Sequence, residues 1–226
     1  MSSWQAASII ALEDVGPDLT LVSLDVPAAI NSSFHTAGQY HRVRAAPQAE
    51  ATFAIASAPG EHPFQYLVRR HGAGARVLEG AAVGGALEVT PVEGPGFPVP
   101  LAQGRNLVLV GTGAGFAPLR SVLRVVLKDR ARFGKVTALY GVYSPAHLAF
   151  RAEFEAFAQA GTTVLPTVEF PDAAWTGRVG RVQAHLEAVS LDDAVVFVCG
   201  QREMVADVKA AFARRGLPEE RVFLNL

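Results

Sequence analysis

Residues 111–119 read Gly-Thr-Gly-Ala-Gly-Phe-Ala-Pro-Leu and directly follow the apolar run Asn-Leu-Val-Leu-Val at residues 106–110. An apolar run that ends in closely spaced glycines and leads into an amphipathic segment predicts a buried strand, a tight turn and a helix. Glycines in such a turn let backbone N–H groups approach a phosphate, and the helix N-terminus adds donors and a positive dipole end. Pro118 fits the first helical turn, where its missing N–H costs nothing. The stretch therefore predicts an α/β domain with a phosphate site.

The glycine spacing of this turn departs from the usual dinucleotide fingerprint, which places a glycine where Phe116 stands. A turn that needs glycine only for its geometry is therefore the alternative to a phosphate site. We predict the phosphate site, and its candidate residues are Gly111, Thr112, Gly113, Ala114 and Pro118.

Apolar runs and amphipathic segments alternate along the rest of the chain after residue 105. Strands are predicted at Asn106–Val110, Lys135–Val142, Thr163–Val168, Ala194–Cys199 and Val222–Leu224. Helices are predicted at Phe116–Arg130, Phe150–Ala158, Val179–Ala188 and Arg202–Arg215. Because the strands are apolar throughout and alternate with helices, we expect a doubly wound α/β domain with a parallel sheet.

The first hundred residues have a different sequence pattern, in which short apolar runs are separated by Gly, Pro, Asn and Ser. Strands are predicted at Ser8–Glu13, Leu19–Val26, Gln39–Arg44, Thr52–Ser57, Phe64–Arg69 and Ala86–Val92, with a short helix near Ala75–Glu79. Regularly spaced short strands favour a barrel or a sandwich. A passage rich in Pro and Gly from Pro91 to Gly104 sustains neither strand nor helix. We therefore predict two domains, residues 1–102 and 103–226.

The composition indicates a globular protein and limits the classes of partner. Half of the 226 residues are hydrophobic, 18% are charged and the formal net charge is −1, so nothing supports nucleic-acid binding. The lone cysteine, Cys199, excludes an internal disulfide and a cysteine-rich cluster, which favours a reducing, cytoplasmic location. The start of the chain does not resemble a secretory signal, and no apolar run reaches the ~18 residues of a membrane span. The six histidines lack the paired spacing of metal ligands, so we predict no metal site.

Two further stretches are candidates for cofactor contacts. Cys199-Gly200-Gln201, with Met204 beyond it, ends a predicted parallel strand, at the edge where open α/β sheets bind ligands. Phe53-Ala54-Ile55-Ala56-Ser57, preceded by Gly38-Gln39-Tyr40, ends a predicted strand of the first domain. Taken alone, the first is also explained by a buried cysteine and the second by an ordinary apolar strand.

Together and in this order, the three stretches resemble the ferredoxin-NADP reductase superfamily over nearly the whole chain. Residues 38–40 resemble its barrel motif, residues 53–57 its flavin strand Arg-x-Tyr-Ser-x-x-Ser, and residues 94–98 the segment that closes the barrel. Gly72-Ala73-Gly74 stands where the family's short loop and helix meet the flavin pyrophosphate. A small branch also found in plants, with Phe-x-Ala-Ile-Ala-Ser on the flavin strand, is the most similar. The resemblance implies an N-terminal antiparallel β-barrel followed by the doubly wound parallel sheet.

The resemblance also implies the cofactors and their contacts. FAD is expected against Tyr40, Phe53, Ala54, Ile55, Ala56, Ser57, Gly72, Ala73 and Gly74. The nicotinamide dinucleotide is expected on the phosphate turn, with its nicotinamide near Cys199, Gly200, Gln201 and Met204. Cys199 is the candidate catalytic residue, and its expected role is to position the nicotinamide.

Four positions depart from the family pattern at the expected flavin site. Ala51 stands for the Arg that contacts the flavin pyrophosphate, Phe53 for the stacking Tyr, Ala54 for a Ser near flavin N5, and Gly74 for a Ser or Thr. Lost contacts of about 1 kcal/mol each correspond to roughly thousandfold weaker FAD binding. Arg42 or Arg44 is a candidate to compensate.

Charge at the end of the third strand of the parallel domain predicts the choice of nicotinamide cofactor. Glu169 stands where the resemblance places a residue that binds the 2′-phosphate of NADPH. A carboxylate accepts hydrogen bonds from a ribose 2′-hydroxyl and repels a 2′-phosphate, so we expect NADH over NADPH.

The sequence as a whole therefore predicts a flavin-dependent oxidoreductase that passes hydride from NAD(P)H, with NADH preferred, to FAD and then to an acceptor that it does not identify. A redox protein is a candidate acceptor. The alternatives are an electron-transfer subunit of a larger redox complex and a flavin-free module that only binds the dinucleotide.

Overall fold

A computed structural model describes residues 4–46 and 49–225, and these residues form two six-stranded sheets joined by a connection that contains a 3₁₀ turn at Val99–Ala102. The antiparallel sheet ends at residue 89 and the parallel sheet begins at residue 106, and the predicted boundary after residue 102 falls between them. None of the helices in the described ranges is long and apolar enough to cross a membrane.

The antiparallel sheet runs in the order β4-β3-β6-β1-β2-β5. Its strands are β1 (Gln5–Gly16), β2 (Leu19–Asp25), β3 (Tyr40–Ala46), β4 (Ala49–Ala54), β5 (Phe64–Arg69) and β6 (Ala86–Val89). The two ends of this order meet, because Ile55 forms a bridge with Tyr66 and the Ala56 N–H donates to the Gln65 carbonyl at 2.7 Å. The sheet therefore curls into a barrel whose seam is held by a short bridge instead of a continuous ladder.

Alternating side chains of these strands fill the barrel, because successive residues of a strand point to opposite faces. Val22, Leu24, Val43, Phe64 and Val89 are fully buried inside it. A helix at Ala28–Ser33, α1, was absent from our prediction, and the predicted short helix, α2, begins earlier than expected and spans Gly72–Leu78.

The parallel sheet runs in the order β10-β9-β8-β7-β11-β12. Its strands are β7 (Asn106–Thr112), β8 (Val136–Val142), β9 (Thr162–Val168), β10 (Arg178–Val179), β11 (Ala194–Cys199) and β12 (Val222–Leu224), and its helices are α3 (Phe116–Lys128), α4 (Phe154–Gln159) and α5 (Arg202–Arg214). Apolar clusters cover both faces, as in a doubly wound domain. The direction of winding changes between β7 and β11, which defines the topological switch point.

Two predicted helices of this half were wrong in type or extent. The segment Val179–Ala188 supplies the end of edge strand β10 and a 3₁₀ helix at Val182–Ala188 instead of an α-helix. Gly180 separates them, and its N–H and C=O are bonded to Val168 and Thr167 of β9. Phe150 cannot begin a helix because its φ is +60°, and the α-helix starts at Phe154 after a 3₁₀ turn.

One of the hydrophobic clusters spans both halves. A single buried cluster includes Leu19 and Leu67 of the barrel together with Leu109 and Phe197 of the parallel sheet. Phe97, in the connection between the sheets, stacks on Phe197 with ring centroids 4.7 Å apart. An interface this apolar and well packed holds the two sheets as a unit.

Candidate dinucleotide site

A cleft lies at the carboxyl edge of the parallel sheet, at the switch point and against the barrel. Open α/β sheets bind their ligands at this position. Barrel residues contribute one wall, and the parallel domain contributes the rest. The lining residues include Asp18, Leu19, Arg69, Thr112, Gly113, Ala114, Gly141, Tyr143, His147, Glu169, Arg181, Gln201, Glu203 and Met204.

The glycine-rich loop after β7 comes very close to the end of β11. A Cβ on Gly115 would lie 2.7 Å from the Cys199 carbonyl oxygen and 2.9 Å from Gly200 Cα. Both are backbone atoms that cannot move aside easily, so only glycine allows this approach. Gly113 has a φ of +51°, in the left-handed region that glycine adopts readily, and lines the cleft. The loop is thus held against β11 with Gly113 on the wall of the cleft. Pro118 lies buried in the first turn of α3 and takes no part in that wall.

Thr112 lies in the cleft beside Gly200. Its Oγ1 is buried, and within the described part of the chain it has no hydrogen-bond partner. A Cβ on Gly200 would collide with that oxygen and would lie 2.6 Å from Met204 Cε. A buried hydroxyl without a hydrogen-bond partner calls for an explanation, and a ligand bound in the adjoining cleft would supply one. Thr112, Gly200 and Met204 therefore lie together at one side of the cleft.

Cys199 ends β11, where it pairs with Gly111 of β7. Burial raises the pKa of its thiol to about 12, so the sulfur is a neutral thiol at physiological pH. Since the thiolate is the nucleophilic form of cysteine, this residue is suited to packing and positioning. Gln201 follows it on the wall of the cleft, where it immediately precedes α5.

Arg69 is a cleft residue that sequence reasoning missed. It ends barrel strand β5, and its Nη2 would lie 3.3 Å from a Cβ on Gly113. Its guanidinium therefore lies over the glycine-rich loop and supplies a positive charge where a phosphate would bind. The one sequence feature that could have pointed to Arg69 is its place at the end of a strand just before Gly72. Its place over the loop depends on how the two halves pack together, which the sequence does not show.

Glu169 lies at the far end of the cleft, beyond β9. Arg181 Nε is 3.4 Å from Glu169 Oε2, and both side chains are solvent-accessible. Tyr143 and Phe170 lie beside them, 59% and 55% exposed, with ring centroids 4.5 Å apart. This end of the cleft therefore offers a carboxylate, a guanidinium and an exposed aromatic pair.

The residues of the expected flavin strand lie on the barrel side and are mostly buried. The Phe53 ring is 4% exposed and packs inside the barrel, 5.8 Å from the Tyr66 ring. Ile55 and Ala56 are also buried, and the Ser57 hydroxyl is used by Pro63 O and Gln65 N. Tyr40 and Ala54, which pair across β3 and β4, are half-buried. Only these two keep partly accessible side chains.

The loop before α2 offers backbone N–H groups to a phosphate but few polar side chains. The N-cap residue of α2, His71, makes no side-chain capping hydrogen bond, and Gly72 and Ala73 are exposed. A Cβ on Gly74 would lie 2.7 Å from Val68 Cγ1, so glycine here lets α2 pack on the barrel. Arg42 and Arg44, the candidate compensating cations, are bonded to Glu93 and Glu88 on the outer face of the barrel.

Comparison with known proteins decides the family. A family model described as the oxidoreductase NAD-binding domain matches residues 109–210, which include the glycine-rich loop and Cys199. Ferredoxin–NADP reductase B of Sorangium cellulosum (strain So ce56) is 32% identical over 197 residues, which cover 79% of this chain and 78% of that protein. The chain belongs to the ferredoxin–NADP reductase family.

One further curated protein and one solved structure are also similar to this chain. The gamma subunit of sulfhydrogenase 1 of Pyrococcus furiosus is 28% identical over 195 residues, which cover 84% of this chain and 67% of that subunit. A crystal structure of a ferredoxin NADP⁺ reductase from Neisseria gonorrhoeae, with bound FAD and NADP, superposes with a TM-score of 0.84 at 20% identity. It covers 99% of this chain and 98% of that one, and at this identity it shows the fold alone.

The main sequence predictions are confirmed at the level of the ferredoxin–NADP reductase family. These are the family itself, the barrel followed by a doubly wound parallel sheet, and the class of NAD(P)H-dependent oxidoreductase. The roles of individual residues and the preference for NADH stay predictions.

Proposed function

We propose that the chain binds NADH in the cleft and takes a hydride from it, and that the electrons pass through FAD to a separate redox acceptor. The cleft carries the proposal, because a glycine-rich loop, a basic side chain and an unsatisfied hydroxyl meet there at the switch point of the sheet. The single cysteine supports a reducing, cytoplasmic setting.

The cleft residues suggest how the dinucleotide lies. The pyrophosphate binds at Gly113–Gly115 and the start of α3, where backbone N–H groups and the helix dipole favour an anion. Arg69 adds a charge-assisted contact from the barrel side. The nicotinamide lies over Gly200, with the Thr112 hydroxyl as its nearest free hydrogen-bonding group. The adenosine lies toward Tyr143 and Phe170, whose exposed rings offer a stacking surface.

The proposal that FAD binds depends on backbone hydrogen-bond donors more than on polar side chains. The uncapped first turn of α2 offers N–H donors to a pyrophosphate, and Tyr40 and Ala54 border the accessible part of the flavin strand. When bound, FAD supplies the hydride acceptor that the protein side chains lack. Because Ala51, Ala54 and Gly74 provide no polar side chain and Phe53 packs inside the barrel, we expect weak, exchangeable FAD.

Replacing Cys199 by Ser tests its positioning role. We expect the rate of flavin reduction at saturating NADH to fall about tenfold, because a smaller hydroxyl packs the nicotinamide less well and misplacement slows transfer. FAD content is expected to stay unchanged, since Cys199 lies in the parallel half. Rapid mixing of FAD-loaded protein with NADH without oxygen measures the rate. A loss of FAD would instead show that Cys199 supports the flavin site.

Glu169 supports the proposed preference for NADH over NADPH, because it lines the cleft and its carboxylate would repel a ribose 2′-phosphate bound near it. Arg181 already faces Glu169 at 3.4 Å. When the carboxylate is present, it holds that guanidinium and offsets its attraction for a phosphate.

Replacing Glu169 by Gln should raise the ratio of kcat/KM for NADPH to that for NADH by roughly tenfold, because about 1.4 kcal/mol of repulsion is removed and Arg181 is released. Steady-state rates with both cofactors measure the ratio. Glu203→Gln removes a carboxylate from the same cleft without touching Arg181 and is the matched control. An equal rise in both variants would mean that net charge, not Glu169, sets the preference.

A second candidate function is that of an electron-transfer subunit. The similarity to the gamma subunit of a sulfhydrogenase favours it, since that relative is one subunit of a larger enzyme. Co-purification with a redox partner, together with low activity of the isolated chain, would support it. A third candidate is a flavin-free module that only binds the dinucleotide. It is favoured by the lack of polar side chains at the expected flavin site.

The visible absorption spectrum distinguishes these functions. The purified protein is incubated with FAD and desalted, and its spectrum is recorded before and after NADH is added without oxygen. Retained flavin bands that bleach with NADH support the proposed reductase. A colourless protein that binds NADH supports the flavin-free module and contradicts the proposal.

A further inference from the structure

Arg120 is a buried cation that lies between the two proposed cofactor sites. It belongs to α3, about one turn beyond the glycine-rich loop, and its side chain is only 4% exposed. Burying a guanidinium is costly unless its donors are paired, so its surroundings indicate a specific role.

One side of the guanidinium is held within the parallel half. Its Nε lies 3.1 and 3.0 Å from the two carboxylate oxygens of Glu153, and its Nη2 donates to Glu153 Oε1 at 2.6 Å. The Phe150 ring packs against it, with Cζ 4.4 Å from the ring centroid. A planar fork against a carboxylate fixes orientation as well as distance, so Glu153 holds the Arg120 guanidinium in one place.

The remaining nitrogen reaches across to the barrel. Nη1 donates to the carbonyl oxygen of Ala56 at 2.9 Å and to Gln65 Oε1 at 3.0 Å. Ala56 belongs to the expected flavin strand, at the seam where that strand meets β5. The neighbouring Ser121 hydroxyl donates to the Ser57 carbonyl at 2.6 Å. Two successive residues of α3 therefore bond two successive carbonyls of the flavin strand.

We propose that Arg120 is a positioning residue that fixes the flavin strand relative to the loop that binds the dinucleotide. The helix that carries Arg120 starts at that loop, so a displacement at one end is transmitted to the other. Hydride transfer depends steeply on the separation of the reacting atoms, and an error of about 1 Å costs on the order of a hundredfold in rate. The inference rests on the proposed function, and it concerns alignment of the two sites more than affinity for either.

Arg120→Lys tests this role, because lysine keeps the charge but has a single nitrogen, and so loses the planar fork that binds Glu153 on one side and reaches Ala56 and Gln65 on the other. The expected result is a fall of tenfold or more in the rate of flavin reduction at saturating NADH. The Kd values for FAD and for NADH are expected to change less than threefold. A long-wavelength charge-transfer absorption, which requires nicotinamide stacked on flavin, should weaken in parallel and does not depend on turnover.

Arg124→Gln is the matched control. Arg124 lies one turn further along α3, bonds Glu61 at 2.8 Å and approaches Glu153 at 3.8 Å, but it does not contact Ala56. It should leave both the reduction rate and the charge-transfer band near wild type. If Arg120→Lys does not fold, Glu153→Gln keeps the shape of the anchor without its charge and should lower the rate severalfold.

The outcomes separate the inference from the proposed function. Wild-type rates in Arg120→Lys, or in a folded Glu153→Gln, would overturn the positioning role while the reductase stands. Equal losses in Arg120→Lys and Arg124→Gln, with weaker FAD binding and a lower Tm in both, would assign Arg120 a structural role only. A wild-type protein that takes up FAD but is not reduced by NADH would overturn the proposed function itself.

Discussion

Replacing Gly115 by Ala is expected to weaken NADH binding about tenfold and to lower the free energy of unfolding by about 1–3 kcal/mol, as overpacking typically does. The added Cβ would lie 2.7 Å from the Cys199 carbonyl oxygen, so the loop and β11 must separate. Gly115 has a φ of −63°, which alanine adopts readily, so the effect is one of space and not of backbone strain. Fluorescence titration with NADH and denaturant unfolding measure the two effects.

Gly104→Ala is the control for this prediction. Gly104 has a φ of +74° and open space where a Cβ would stand, and it lies just before β7, at the opposite end of that strand from the loop. The substitution should cost about 1 kcal/mol of stability through its left-handed backbone and leave the Kd for NADH unchanged. Wild-type NADH affinity in Gly115→Ala would show that the close approach of the loop to β11 does not shape the nucleotide site.

The stability of the protein is expected to fall by about 3 kcal/mol between pH 7 and pH 4 because of His41 alone. His41 lies inside the barrel, and burial lowers its pKa from 6.5 to about 4. Its Nδ1 must donate to the Thr90 carbonyl at 2.7 Å, and its Nε2 has no partner among the described residues. A proton on Nε2 would therefore place a charge in the core with nothing to accept its hydrogen bond.

The sign of this dependence follows from the two pKa values. The unfolded chain takes up the His41 proton as the pH falls through 6.5, whereas the folded chain resists until about pH 4. The stability contribution is thus fully present above pH 6.5 and is lost progressively below it. Denaturant unfolding at several pH values measures it, with His41→Gln as the comparison. The same slope in both proteins between pH 6.5 and 4 would exclude His41 as its source.

The elements that the sequence predicted correctly are those that depend on local backbone. The turn at Gly111–Gly115 and the end of β11 could be predicted because apolar strands and glycines define them, and the sheet then brings the two edges together. The helix predicted at Val179–Ala188 was wrong because the structure of this segment depends on a tertiary contact and not on its local pattern. Gly180 bonds the neighbouring strand β9, and such a tertiary contact leaves no periodic signal.

The side chains that sequence reasoning missed or misplaced depend on how the two halves meet. Phe53 aligns with a family residue that stacks on flavin, but a strand pattern does not say which face turns inward, and the ring lies in the barrel core. Arg69 and Arg120 were not among the residues predicted from the sequence, although each lies beside a stretch that was. They gain their significance only where β5 meets the glycine-rich loop and where α3 meets the flavin strand.

Anaerobic mixing of the FAD-loaded protein with NADH tests the central claim most directly, with Gly115→Ala measured beside the wild type. We expect NADH to bleach the flavin absorption of the wild type and, at subsaturating NADH, to bleach that of the Gly115→Ala protein far more slowly. Flavin that stays oxidised in the wild type would contradict the account, as would equal rates in the two proteins.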